Sequence, residues 1–193
     1  MSATPTPTRR GEVEGRTVAI FDGLLPPEQV GEYTQALHRA PFTRTEQARP
    51  DTAEHRHWAS EMPLANLVRL PLWPATEGAM RTLLPERRYR PYRAYTNHSS
   101  YGDMLFTHTD AQPGSDEFTA LWYLCEKWDT EWGGETLFFD ASGDAQFACS
   151  PRPGRLVLFD GAIRHAGRPP NRICYAPRYT FAIKLERADG GER

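Results

Sequence analysis

The stretch Arg155-Leu-Val-Leu-Phe-Asp160 is a short apolar run that ends in a turn at Asp160-Gly161, as a buried β-strand does. Glycine, proline, aspartate and serine residues separate further runs of this kind in the second half of the chain. These β-prone runs cover residues 88–96, 104–110, 117–125, 135–139, 145–149, 155–160 and 178–186. Many short strands at roughly ten-residue spacing predict a β-sandwich or barrel.

The first half of the chain has a different pattern. Apolar residues recur at helical spacing after a Pro-Pro pair, which predicts a helix over 27–39, and a second helix is expected at 75–84. Residues 1–16 are polar and rich in proline and threonine, so we expect a flexible tail there. The sequence therefore predicts one domain over residues 17–188, mainly β with flanking helices (α+β), with its β core at about 87–186.

Composition excludes several classes of protein. The chain has 193 residues, and its net charge of −2 argues against a generally basic, nucleic-acid-binding surface. Its apolar runs are far shorter than the roughly 20 residues that a membrane helix needs. Three widely spaced cysteines fit neither a disulfide framework nor a zinc cage, and the N-terminus has no apolar signal region. We therefore expect a cytoplasmic protein in a reducing compartment.

The run at 104–110 ends in a metal-binding pattern formed by His108 and Asp110. If that run is a strand, side chains alternate between its faces, so His108 and Asp110 point the same way. His165 follows the strand 155–160 and is the best candidate for a third ligand. Two histidines and one carboxylate on one face leave three coordination positions open, which is the facial triad of non-haem Fe(II) oxygenases. A His-x-Asp pair alone is common among surface polar residues, so further residues must decide.

An arginine on the last strand adds to this pattern. An oxygenase of this type commonly uses a co-substrate with two carboxylates, and a planar guanidinium is the natural partner for the distal one. Arg178 opens the strand 178–184 and shares one face with Thr180 and Ala182. These small neighbours leave room for a ligand.

His108-x-Asp110, His165 and Arg178, in this order and spacing, resemble the 2-oxoglutarate- and Fe(II)-dependent oxygenases of the prolyl-4-hydroxylase type. Segments across residues 87–186 are similar as well. They are Tyr95 followed by Gly102-Asp-Met-Leu-x-x-His-Thr-Asp110, Ala120-Leu-Trp-Tyr-Leu124, Trp132-Gly-Gly-Glu-Thr-Leu137 and Gly154-Arg-Leu-Val-Leu-Phe159. The N-terminal strand and the helix that follows it also resemble the opening of the family.

The resemblance implies a fold and a set of ligands. The fold is a double-stranded β-helix, or jelly roll, with supporting helices. His108, Asp110 and His165 would bind Fe(II), and Arg178 would hold the distal carboxylate of 2-oxoglutarate. The reaction would use O2, release succinate and CO2, and hydroxylate an unactivated C–H bond, with ascorbate as a supporting reductant. Desaturation or ring formation would use the same iron ligands.

The resemblance also suggests residues of the co-substrate pocket. Tyr123 matches a position whose phenol hydrogen-bonds the co-substrate, Tyr95 falls near another tyrosine of that pocket, and Thr180 is a further lining candidate. Ordinary barrel packing is the alternative interpretation of both tyrosines. The sequence departs from some prolyl hydroxylases at Leu105, where they carry tyrosine, and at Ala182, where they carry threonine.

Two alternative functions remain open. A nucleic-acid demethylase of the AlkB type shows Arg-x5-Arg after the second histidine, and Arg178 with Lys184 matches this only partly. The Gly133-Gly134-Glu135 turn and the absence of a basic excess favour the hydroxylase. A non-catalytic cupin-like binding module would need neither Arg178 nor an open coordination face. The compact chain favours a small molecule, an amino acid or a peptidyl residue as substrate.

Three further segments are candidates for substrate contact. Arg87–Arg93 alternates basic and aromatic residues, which suits phosphate and stacked bases but also suits a solvated strand edge. The loop at 126–132 holds two tryptophans that either border the barrel mouth or pack beneath it. His55 and His57 have no third ligand of similar quality, so they indicate a substrate-side loop or plain surface.

Overall fold

A computed structural model describes residues 4–188, and strands dominate it. The eleven strands found in this range are β1 (Arg9–Val13), β2 (Arg16–Phe21), β3 (Thr43–Glu46), β4 (His57–Glu61), β5 (Tyr89–Ser99), β6 (Phe118–Tyr123), β7 (Thr136–Phe139), β8 (Ala145–Cys149), β9 (Leu156–Asp160), β10 (Arg164–Gly167) and β11 (Arg178–Arg187). The helices are α1 (Pro27–Leu37), α2 (Leu64–Leu67) and α3 (Leu72–Leu83), with 3-10 turns at Pro50–Thr52 and Thr130–Trp132.

The strands form two antiparallel sheets. The larger sheet has the order β1-β2-β9-β6-β11-β5-β4-β3, and the smaller has the order β10-β7-β8. Non-consecutive strands lie side by side in both sheets, as expected when paired strands cross between the layers of a jelly roll. The predicted fold class, mainly β with flanking helices in a jelly roll, is confirmed.

Strand β6 shows how the layers pack, because every residue in it is buried. Alternate residues point to opposite faces. Trp122 belongs to the hydrophobic cluster that α1 and α3 cover, whereas Leu121 belongs to a second cluster. Phe138 from the smaller sheet also belongs to this second cluster, which therefore lies between the two sheets. The candidate site is built at the end of this inter-sheet core.

The N-terminal segment differs from the prediction. We expected a flexible tail over 1–16, but Arg9–Val13 forms strand β1 and pairs with β2. A two-residue turn at Glu14-Gly15 joins the strands, and both residues have positive φ (50° and 74°), which is typical of a tight hairpin. Because this edge strand is stabilised by backbone hydrogen bonds, its polar side chains do not reveal it. Residues 1–3 lie outside the described residues.

The run at 104–110 also differs from the prediction, because no strand forms there. His108 makes a single bridge to His165 instead. Two strands of the larger sheet, β3 and β4, also lie outside the β-prone runs found in the second half of the sequence. Among residues 4–188, no helix has the length and apolar character needed to cross a membrane.

Candidate active site

Three potential metal ligands converge where the two sheets meet. His165 lies on β10, and His108 joins it through two backbone hydrogen bonds of 3.0 and 2.9 Å. The Asp110 backbone N–H donates to the carbonyl oxygen of Gly161 at 2.8 Å, which fixes the chain beyond His108. The ligand atoms of His108, Asp110 and His165 all lie within 4.8 Å of one another. A loop therefore brings His108 and Asp110 together, although we expected a strand to align them.

Both imidazoles present the same nitrogen to this cluster. The Nδ1 atoms of His108 and His165 lie 2.9 Å from the carbonyl oxygens of Phe106 and Ile163, respectively. Because a carbonyl oxygen can only accept, each Nδ1 carries a proton, and Nε2 is the nitrogen that each ring turns toward the cluster. Burial lowers the pKa of His165 to about 4, which keeps its ring neutral near neutral pH. Both rings are thus arranged as metal ligands.

Asp110 completes the cluster and has two further partners. Its Oδ1 lies 3.3 Å from His108 Nε2, and its Oδ2 lies 3.6 Å from His165 Nε2. Oδ2 also accepts a 2.6 Å hydrogen bond from Thr119 and pairs with the ammonium of Lys184. Burial alone would raise the pKa of Asp110, but the adjacent Lys184 ammonium is the main opposing cause, and the pKa lies well below its usual range. The carboxylate is therefore ionised.

Arg178 is a buried cation, only 3% exposed, that forms no ion pair with any residue between 4 and 188. Its Nε donates to the carbonyl oxygen of Gly134 at 2.6 Å, and one Nη donates to Thr136 Oγ1 at 3.0 Å. The guanidinium can lie close to the backbone of Gly167 because this residue has no side chain: a Cβ there would lie 3.2 and 3.3 Å from the two Nη atoms. Buried charges in proteins are usually paired, so this guanidinium fits an anionic ligand.

The opposite strand adds two buried oxygens without hydrogen-bond partners. In the register of β11 and β5, Arg178 is paired with Ser99 and Thr180 with Asn97. Ser99 Oγ and Asn97 Oδ1 are buried and accept or donate no hydrogen bond. Such groups are rare in native structures and call for a ligand or ordered water. Of the two residues, Asn97 lines the same cavity as the three candidate metal ligands and Arg178, which together fit a metal ion and an anionic, polar small molecule.

The remaining predicted pocket residues take different places. Tyr95 and Thr180 line the same cavity as the metal cluster and Arg178. Tyr123 does not line it: its hydroxyl lies 2.6 Å from Thr136 Oγ1 and donates to the Cys149 carbonyl oxygen at 3.1 Å. The Arg178 guanidinium lies 5.2 Å from the Tyr123 ring centroid. Tyr123 thus packs beneath the guanidinium, and its predicted contact with the co-substrate stays a prediction.

One continuous cavity connects these groups and encloses about 610 Å³ of empty space, counted to its open mouth. Leu105 and Ala182, where the sequence departs from some prolyl hydroxylases, both line it. Sequence reasoning missed several other lining residues, which come from distant strands. They are Glu46, Asn97, Thr119 and Leu121. Of the two histidines noted before Trp58, His57 lies in the cavity wall.

The two other candidate segments contact their own chain. In the Arg87–Arg93 segment, Arg87 pairs with Asp116, and Arg93 pairs with Glu46 and Glu61. In the loop at 126–132, the Trp128 indole donates to the Gly133 carbonyl oxygen at 2.9 Å and packs edge-on against Trp132. A Cβ on Gly134 would lie 3.0 Å from Trp128 and 3.2 Å from Arg178. The tryptophan loop thus supports the turn that holds Arg178.

Comparisons with known proteins agree with this geometry. The family model described as the 2OG-Fe(II) oxygenase superfamily matches residues 88–183, about half of the chain. A prolyl-4-hydroxylase from Pseudomonas putida is structurally similar with a TM-score of 0.66 and 16% sequence identity, over 88% of this chain and 92% of that chain. A search of the curated proteins gives no significant match.

Two further solved structures show the range of similar proteins. HygX from Streptomyces hygroscopicus, with nickel and 2-oxoglutarate bound, has a TM-score of 0.60 and 14% identity, over 89% of this chain and 83% of that chain. A Trichoplax adhaerens prolyl hydroxylase, in complex with a hypoxia inducible factor oxygen degradation domain peptide fragment, has a TM-score of 0.62 and 16% identity. The match covers 88% of this chain and 83% of that chain. At such identities the likeness shows the fold.

The matched segment contains His108, Asp110, His165 and Arg178, and these residues meet in one cavity. The family match and the His-Asp-His cluster together confirm Fe(II) and 2-oxoglutarate as the cofactors. The expected resemblance to oxygenases is likewise confirmed by the structures of the same fold. The chain belongs to the 2OG-Fe(II) oxygenase superfamily.

Proposed function

We propose that this protein is a 2-oxoglutarate-dependent hydroxylase that acts on an unactivated C–H bond of a small molecule, an amino acid or a peptidyl residue. One observation carries the proposal. The His-Asp-His cluster, in which His165 is buried, shares one cavity with the buried guanidinium of Arg178, which has no anionic partner among residues 4–188. A module that only binds a metal would have no need for the second group.

Each residue has a definite task in this proposal. His108 and His165 would bind Fe(II) through Nε2, and Asp110 would bind it through its carboxylate. When bound, iron with 2-oxoglutarate and O2 supplies the oxidising power to hydroxylate a C–H bond, with succinate and CO2 as co-products. Arg178 would bind the distal carboxylate through two parallel hydrogen bonds and so orient the co-substrate. Thr180 and Tyr95 would line the space between these two ends.

The cavity wall also controls water near the metal. Leu121 and Phe159 from the larger sheet line the cavity close to the His165 ring, which lies 4.7 Å from the Phe159 ring. An apolar wall strengthens the electrostatic interactions inside the site and limits side reactions with water. Substrate would enter past residues 46–48 and 105–106, which border the metal cluster on the same cavity.

A demethylase of the AlkB type has less support. The Lys184 ammonium pairs with Asp110, and the Arg87 and Arg93 side chains are paired with carboxylates. With a net charge of −2, the chain offers no general excess of basic residues for a nucleic-acid backbone. We therefore favour a small molecule or a peptide over a nucleic acid as the substrate.

Succinate formation tests the function. Purified protein with Fe(II), 2-oxoglutarate and ascorbate should form succinate, and a mass-spectrometric screen of amino acids, metabolites and cell extract should reveal a +16 product. Asp110→Ala should lose both metal binding and turnover, whereas the exposed acidic residue changed in Glu54→Ala should leave both intact. Absence of succinate from metal-loaded, folded protein, with and without substrates, would favour the cupin-like binding module.

We also propose that residues 17–188 form one oxygenase domain in the cytoplasm, with strand β1 extending its larger sheet from Arg9. Val13 of β1 is buried in the inter-sheet cluster, which supports its inclusion in the domain. All three cysteines are buried and unbridged, in keeping with a reducing compartment. Limited proteolysis tests the bounds of the domain, and cell fractionation tests its location in the cytoplasm.

A further inference from the structure

We propose that Lys184 and Thr119 are positioning residues that keep one oxygen of Asp110 away from the metal, so that this carboxylate coordinates through Oδ1 alone. The inference rests on the proposed function, because it assigns Asp110 to the metal. Its consequence is that three positions of a six-coordinate ion stay open for co-substrate and O2, where a chelating carboxylate would leave two.

The contacts of Asp110 are unequal at its two oxygens. Oδ2 accepts hydrogen bonds from Thr119 Oγ1, at 2.6 Å, and from the Lys184 ammonium. Lys184 Nζ also donates to Thr119 Oγ1 at 3.3 Å, so the three side chains form a closed network. A carboxylate oxygen has about two in-plane lone pairs, and this network uses those of Oδ2. Among residues 4–188, Oδ1 has no such donors and lies 3.3 Å from His108 Nε2, whereas Oδ2 lies 3.6 Å from His165 Nε2 in addition to its two donors.

Burial makes this arrangement unusual. Lys184 is 8% exposed, and its side chain lies in the cavity wall between Thr119 and the Tyr95 ring. The chain contains 23 basic residues, of which only Lys127 and Lys184 are lysines. An ammonium is a compact charge that can hold a single oxygen, whereas a guanidinium fork commonly spans both oxygens of a carboxylate. A lysine here leaves Oδ1 free.

The proposal predicts opposite effects on the metal and on the co-substrate. In Lys184→Met, a positive charge next to the dication is lost and Oδ2 is freed to chelate, so Mn(II) should bind more tightly, on the order of tenfold. The additional oxygen would occupy a position that 2-oxoglutarate needs, so its affinity for the Mn(II)-loaded variant should fall. Thr119→Val removes one donor to Oδ2 but no charge. It should therefore change both affinities in the same directions as Lys184→Met does, but by smaller factors.

Anaerobic titration calorimetry with Mn(II), and then with 2-oxoglutarate, measures both affinities in the full chain. Lys127→Met is the matched control, because Lys127 lies outside the cavity, and it should leave both affinities unchanged. Weaker or unchanged Mn(II) binding in folded Lys184→Met would overturn the inference, even when wild-type protein forms succinate. Conversely, wild-type protein that binds Mn(II) but not 2-oxoglutarate contradicts the proposed function, while the Mn(II) comparison still tests the inference.

Nuclear magnetic resonance gives a test that needs no variant at position 184. Protein labelled with ¹³C-lysine has only two Cε–Hε signals, and Lys127→Met assigns them. With Zn(II) added to wild-type protein, the Lys184 signal should shift yet stay distinct from that of an exposed lysine, and the Lys127 signal should stay in place. Movement of the Lys184 signal to the position of an exposed lysine would show that the ammonium leaves Asp110, and would overturn the proposal.

Discussion

Replacing Arg178 by methionine should abolish most of the affinity for 2-oxoglutarate while sparing the metal. The guanidinium has five N–H groups, and three of them already donate to Gly134, Thr136 and Thr180. The N–H groups that remain can serve the two oxygens of a carboxylate. At about 1.5–3 kcal/mol for each charge-assisted hydrogen bond, two of them contribute about 3–6 kcal/mol. The dissociation constant of 2-oxoglutarate should therefore rise by about 10²- to 10⁴-fold.

The assay is anaerobic titration of Mn(II)-loaded protein, with Arg172→Met as control because Arg172 is an exposed arginine on the preceding loop. A second ligand, 2-oxopentanoate, replaces the distal carboxylate of 2-oxoglutarate by a methyl group. Wild-type and Arg178→Met proteins should bind it with similar affinity, since the interaction that the variant loses is already absent. A folded Arg178→Met protein that binds 2-oxoglutarate within threefold of wild type, or that loses affinity for both ligands equally, would refute the assignment of Arg178 to the distal carboxylate.

Three further predictions concern the surroundings of the site and the stability of the fold. Gly167→Ala places a methyl group 3.2 Å from the Arg178 guanidinium, so overpacking of about 1–3 kcal/mol should raise the KM for 2-oxoglutarate while circular dichroism stays unchanged. The hydrogen bonds from Arg155 lower the pKa of Asp22 in the folded protein. The pair therefore stabilises the fold at pH values above 3.8, the pKa of Asp22 in the unfolded chain, and this stabilisation is lost as the pH falls through the lower folded-state pKa. Urea unfolding should therefore show Asp22→Asn destabilised by about 1–3 kcal/mol at neutral pH, with a difference from wild type that shrinks below about pH 4; a difference independent of pH would contradict this. Phe138 is fully buried between the sheets, so Phe138→Ala should lose about 3–5 kcal/mol in the same assay, and a loss below 1 kcal/mol would argue against the inter-sheet core.

The candidate site was partly predictable because its chemistry is tied to few residue types. His108, Asp110, His165 and Arg178 were identified by their kinds and spacing, and the structure brings them into one cavity. The prediction of a strand at 104–110 was wrong, so strand alternation does not align His108 with Asp110. The bridge between His108 and His165 aligns the ligands instead, and such a bridge joins residues far apart in sequence.

Contacts between distant strands were beyond the sequence patterns. The pairing of Lys184 on β11 with Asp110 and Thr119 depends on three separate segments, and Lys184 was noted only for its spacing from Arg178. Strand β1 was missed for a related reason, because an edge strand is stabilised by backbone hydrogen bonds that polar side chains do not reveal.

By itself, the sequence determined the fold class, the candidate metal ligands and the arginine predicted to bind a carboxylate. Apolar periodicity is a local property, and the ligand types follow from the chemistry of the metal and of a dicarboxylate. Only the tertiary structure decided which groups surround these ligands: that Lys184 pairs with Asp110, and that Tyr123 packs beneath Arg178. The physical reason is that side chains from several strands compete for the same buried hydrogen bonds, and only the packed sheets determine which of them meet.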